Sequence, residues 1–220
     1  MSPELSSVSE RMLRLGLAAL SHANSHANYF SFENNMWAEL SVLQVAHAME
    51  ILIKAKIAEE HPLLIFESLP KSSQVDNLNY QSLCSKAKTL QYSDLPERLW
   101  ATTGITIEKI DLYKEFGVLR NSIQHFADPN NINCGDMSRR YIYEIIDPFI
   151  NSCWNLYAVD YNEDTEPYTY LLEILIENEI EFLIPPKIVG IYIDEVSFSN
   201  SSIAYKKEMI RRLNISKLVQ

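Results

Sequence analysis

The chain is poor in the residues that punctuate or cross-link a fold. Its five glycines are too few for Gly-rich phosphate loops or for the many tight turns of an all-β sandwich. With only nine prolines beside them, collagen, linker arrays and low-complexity disorder are excluded as well. The three cysteines, Cys84, Cys134 and Cys153, include no CxxC pair, which argues against a disulfide framework and points to a reducing compartment. No apolar run approaches the ~20 residues that a membrane-spanning helix requires. Met1 to Glu10 lack the basic and apolar regions of a secretory signal, so a cytoplasmic protein with no membrane partner is expected. Positive charge is also scarce: 19 Lys and Arg against 29 Asp and Glu leave a net −10. That balance excludes non-specific nucleic-acid binding over a broad basic surface, although a small basic site in a specific nuclease survives it. What is present is a 47% hydrophobic chain of 220 residues, enough to bury a core as one domain or one domain with a tail.

Up to residue 160 the chain reads mostly as helix. Ser7 or Ser9 can cap a first helix to about Ala23, followed by a tandem Ser-His-Ala-Asn doublet at Ser21–Asn28. A long second helix is expected from Glu33 to Glu60, stopped by Pro62, and then a short buried segment at Leu63–Phe66. Further helices are expected over Tyr80–Leu90, from Ser93 or Asp94 to Trp100, from Ile107 (capped by Thr106) to Phe126, and from Asp136 or Ser138 to Tyr157. Pro96 fits the first turn of its helix, Gly104 ends that helix, and Pro148 is a candidate kink. The composition changes at Tyr161. Between Asp160 and Glu181 lie eight acids and no base, with a helix expected at Leu171–Phe182 and a strand at Ile188–Phe198. Lys206, Lys207, Arg211 and Arg212 then form the densest positive patch, a candidate RNA-binding surface that the acidic stretch can mask. This divides the chain into a helical domain at 1–160 and an acidic-then-basic extension at 161–220.

One segment carries chemistry. From Asp111 to Phe126, the apolar residues Leu112, Phe116, Leu119, Ile123 and Phe126 recur at steps of three and four, a stripe that faces a core. Arg120, Asn121 and His125 fall on the opposite half. A histidine can move protons near neutral pH, an arginine fork can hold a phosphate, and an asparagine can orient either group. These residue types suit cleavage of RNA by its own 2′-hydroxyl and call for no metal or cofactor. In the second helix, which is apolar on most sides, His47, Glu50 and Lys54 share a stripe. Glu50 and Lys54 stand at i, i+4 in the favourable order and can also reach Arg120 and Asn121. His47 is expected in the core or in support of the site.

Glu50-x-x-x-Lys54 on an early long helix, followed by Arg120-Asn121-x-x-x-His125 on a later one, resembles the HEPN superfamily over roughly Leu40–Tyr157. Its ribonucleases carry an Arg, four to six residues, then His, often with a polar residue directly after the Arg. The resemblance implies an all-α, antiparallel helical bundle, here with a C-terminal extension holding one strand or hairpin. It implies a homodimer whose two Arg/His sets meet in one composite site. It also implies metal-independent endoribonuclease activity leaving a 2′,3′-cyclic phosphate, in a toxin or effector of antiphage defence, abortive infection or a toxin–antitoxin pair with a partner protein. In that reading Arg120 binds the scissile phosphate, His125 is general acid or base, Asn121 orients them, and Glu50 with Lys54 buttresses the site.

Blander readings stand beside these. Arg120 and His125 can be a solvated helix face, and a HEPN-like module can bind nucleotide or a protein partner without cleaving anything. His22 and His26, one turn apart, lack an obvious third metal ligand and read as helix-end residues. Tyr141, Tyr143 and Tyr157 can stack on bases, but packing is the ordinary role of such residues.

Overall fold

Helical periodicity over most of the chain is realised as helix. The computed structural model describes residues 3–75, 78–126, 132–163, 168–187 and 198–218. Among them the architecture is all-α with one small antiparallel strand pair. The elements are α1 (Pro3–Ser6), α2 (Val8–Asn28), α3 (Trp37–Glu60), β1 (Phe66–Ser68), α4 (Tyr80–Lys86), β2 (Lys88–Thr89), α5 (Leu95–Thr103), α6 (Ile110–His125), α7 (Cys134–Tyr141), α8 (Asp147–Trp154), α9 (Tyr168–Glu177) and α10 (Ile203–Leu218). They form two compact units, Met1–Ala18 with His47–Glu108, and Ala19–Ala46 with Lys109–Gln220. Residues beyond 160 therefore belong to the second unit.

In the first unit the C-terminal half of α3 is the core. Ile51, Leu52, Ile53, Ala55, Ile57 and Ala58 are all buried, so the helix is covered on every side, as its apolar sequence requires. Gly16 makes the closest approach: a Cβ there would lie 2.8 Å from the Leu52 side chain, so only glycine lets α2 pack this tightly on α3. Pro62 ends the helix and opens a short 3-10 turn at Pro62–Ile65. The helix expected to reach Leu90 stops at Lys86, because Lys88 and Thr89 pair as β2 with β1. Leu90 continues that pairing by donating its N–H to the Ile65 carbonyl at 2.9 Å. Asn79 and Ser82 cap α4 reciprocally. Gly104 closes α5 at φ 75°, where L residues are strained, and its N–H donates to the Trp100 carbonyl.

In the second unit α6 starts at Ile110, later than expected, since the chain passes from one unit to the other at Glu108–Lys109. Leu112, Phe116 and Leu119 are buried as their spacing predicts, with Tyr113 beside them. Phe116 packs its ring 4.1 Å from that of Tyr141. Phe126 departs from the stripe. It is 92% exposed because the chain leaves the helix there at φ −148°, ψ −82°. The next expected helix is divided. Residues Ile142–Ile146 widen into a π turn, in which Asp147 N–H donates to the Ile142 carbonyl. Pro148 follows directly. It has no N–H for an α-helical bond, and the wider turn takes the place of a sharp kink. Asn155, in the left-handed region at φ 54°, ends α8. Tyr141 and Tyr143 are buried and pack in the core. Of the strand expected at Ile188–Phe198, residues 188–197 lie outside the described residues.

Two buried polar side chains tie the loops of this unit to its helices. Asn24 uses its full capacity. Its Nδ2 donates to the carbonyls of Ala158 at 3.2 Å and Tyr161 at 2.9 Å, while its Oδ1 accepts from the Tyr143 hydroxyl and from Asn28. The Asp147 carboxylate, wholly buried, accepts the Ala158 N–H on one oxygen and the Leu183 N–H on the other, each at 2.8 Å. Burial pushes its pKa up to about 7 against the pull of those two donors. In the unfolded chain the group returns to its ordinary value, 3.8. Asp147 therefore favours the native state most fully below about pH 4, and that contribution fades as pH rises through about 7. The stability gap between wild type and Asp147→Asn, measured by urea denaturation, should narrow between these limits. Parallel stability curves would show that Asp147 does not titrate there.

Candidate functional site

On α6, Lys114, Val118, Asn121 and His125 recur at steps of four, three and four, and all are exposed. Arg120 lies beside them, half-buried, with the Nη1 of its guanidinium donating to Asn121 Oδ1 at 2.9 Å. Among the described residues no other group takes a hydrogen bond from the Arg120 side chain. A permanent cation, the amide that steadies it and an imidazole thus occupy one open surface at the end of the helix. The same surface carries Val118, 68% exposed, and Phe126 follows it.

The α3 residues form their own pair in the first unit. Lys54 Nζ donates to Glu50 Oε1 at 2.6 Å, with Lys54 buried and Glu50 part-buried. An ammonium inside an apolar helix requires such a carboxylate, which makes the pair a condition for burying α3. Of the two roles expected for His47, the core one does not hold: it is exposed, at the solvent end of the stripe.

The α10 cations divide into two kinds. Glu208 accepts from Arg211 and Arg212 together, and the hydrogen bond from Arg211, foremost, draws its pKa down to about 2. Arg212 also pairs with Glu181 and donates to the Phe182 carbonyl at 3.1 Å. The acidic stretch thus does cover part of the basic helix. Lys206 and Lys207 are exposed and have no ion-pair partner among the described residues.

The histidine pair singled out by its one-turn spacing lies on α2. The Ser-His-Ala-Asn doublet is helical to Asn28, so it forms the last two turns of α2 and not the segment after it. His22 donates Nδ1–H to Glu163 at 2.9 Å, across 141 residues of sequence. His26 is buried against the Trp37 ring, with centroids 3.7 Å apart, and burial, then the nearby His22, lowers its pKa. The doublet itself was the available signal, but its carboxylate partner is too distant in sequence to infer. Among the described residues no set of three or more His, Cys, Asp or Glu side chains could hold a metal ion, and no helix is long and apolar enough to cross a membrane.

No family model, curated protein or solved structure matches the chain.

The Glu50–Lys54 pair has a direct consequence for stability. Glu50→Ala leaves the Lys54 ammonium buried and unpaired and should cost about 3 kcal/mol. Glu50→Leu combined with Lys54→Met should recover all but about 1 kcal/mol, since a shape-matched apolar pair needs no solvation. Urea denaturation checks both. A silent Glu50→Ala would mean that Lys54 finds another route to solvent.

Proposed function

We propose that the chain is a metal-independent endoribonuclease that acts through Arg120, Asn121 and His125. The observation that carries the reading is the open surface at the end of α6, where the Arg120 fork, steadied by Asn121 Oδ1, shares the exposed helix face with His125. The resemblance to HEPN ribonucleases in the order and spacing of Glu50, Lys54, Arg120 and His125 supports it, as does the all-α architecture.

In the proposed reaction the 2′-oxygen attacks the adjacent phosphorus and the bond from phosphorus to the 5′-oxygen breaks. The proton of the 2′-hydroxyl passes to a base, and the departing 5′-oxygen takes one from an acid. The products are a 2′,3′-cyclic phosphate and a 5′-hydroxyl. Arg120 stabilises the charge that gathers on the non-bridging oxygens, and Asn121 fixes the fork for that task. One imidazole cannot be base and acid at the same instant. A homodimer in which two α6 surfaces meet supplies a second His125, and Val118 and Phe126 offer apolar surface for that meeting. Lys206 and Lys207 are the cations left to draw the RNA backbone in. The resemblance places such an enzyme in antiphage defence or a toxin–antitoxin pair, with a partner protein that restrains or triggers it.

His125→Ala should lower the cleavage rate of total RNA by about 10²–10⁴-fold. Arg120→Lys should fail comparably, because a point charge does not reproduce a planar fork. The double variant should be little worse than the worse single one, as in sets that act as a unit. All three should keep the wild-type thermal midpoint, because these side chains lie outside the core. RNA bound but never cleaved by the wild type would favour a non-catalytic module, and full activity in His125→Ala would rule out this assignment.

A further inference from the structure

Within the first unit, two helix faces leave a space between them unfilled. Leu5, Val8, Met12 and Leu15 recur at helical spacing along α1 and α2, and Tyr80, Leu83 and Cys84 do so along α4, with Ala87 directly after it. Together with Pro62, Ile65 and Phe66 they line a groove of about 630 Å³. Small-molecule sites span ~300–1,000 Å³ and combine an apolar lining with a few polar groups. Leu15 is 54% exposed and Tyr80 38% exposed at this groove, an apolar surface that folding alone leaves in water.

Arg11 is the one Lys, Arg, Asp or Glu residue among the lining residues, and no side-chain partner neutralises it among the described residues. A fixed cation at the edge of an apolar groove selects a ligand with a long apolar body and one anionic end, and an arginine fork matches a carboxylate in shape. A single alkyl chain brings no backbone polar groups to satisfy, so it suits a lining with one charged side chain better than a peptide does. We infer that this groove binds a single-chain anionic amphiphile, an acyl carboxylate, with its chain between α2 and α4 and its head on Arg11. The inference stands apart from the ribonuclease reading, since it uses none of the α6 residues.

Titration calorimetry on the full chain with dodecanoate, dodecanol and dodecylammonium, each below its micelle concentration, tests it. Dodecanoate should bind one per chain, with dodecanol weaker by about tenfold or more and dodecylammonium weaker still. Arg11→Gln should bring dodecanoate down to the level of dodecanol without moving the thermal midpoint, because Arg11 is exposed. Leu15→Trp should fill the groove and abolish both. Equal binding of the three amphiphiles, or dodecanoate affinity unchanged in either variant, would overturn the proposal as mere detergent adsorption. Self-association abolished by Leu15→Trp, with no dodecanoate bound, would assign the groove to a second copy and overturn it equally.

Discussion

A helix that is apolar on every side can exist in water only if other segments cover every side, and α3 meets that condition from Ile51 to Ala58. Much of the first unit follows from this one constraint. The side that faces α2 admits no side chain at Gly16, since a Cβ there would intrude on Leu52. The buried cation within that run, Lys54, must bring its own counter-charge, and Glu50 one turn earlier supplies it. Replacing apolar neighbours by polar ones would expose α3, and removing Glu50 would leave a charge where water cannot reach. Either change acts on the fold before it acts on any chemistry.

The second unit solves a different problem. A helical fold with long connections must satisfy the backbone groups of those connections, and among the described residues of this unit no strand does so. Asn24 and Asp147 take that role: Asn24 holds Ala158 and Tyr161, more than 130 residues further along the chain, and Asp147 holds Ala158 together with Leu183. The π turn before Asp147 is part of the same local geometry: it follows from Pro148, and Asp147 is the residue on which it ends. Polar side chains here therefore act as struts. That gives a reason for the burial of groups that composition alone would place at the surface.

Where a residue's role is set by its immediate neighbours, it was legible. Pro62 and Gly104 end their helices, Pro96 opens one, and the buried face of α6 follows from the spacing of Leu112, Phe116 and Leu119. The exposure of Asn121 and His125 follows from the same period. Roles set by distant residues were not legible. His22 owes its orientation to Glu163, Arg212 loses its freedom to Glu181 and Glu208, and Lys88–Thr89 is drawn into a strand by Phe66–Ser68. The exposure of His47 has another cause. The helical period groups it with Glu50 and Lys54, but a stripe on a helix can run from solvent at one end to the core at the other. The acidic and basic blocks after residue 160 were visible as composition, and only the fold shows that they pair with each other.

The proposed cleavage rests on an imidazole and a guanidinium, so the chemical nature of the new RNA ends bears on it most directly. Wild-type protein incubated with RNA in excess EDTA should yield a 2′,3′-cyclic phosphate signal by phosphorus NMR, together with 5′-hydroxyl ends. Ends carrying a 5′-phosphate, formed only when Mg²⁺ is restored, would contradict the assignment of the chemistry to Arg120 and His125.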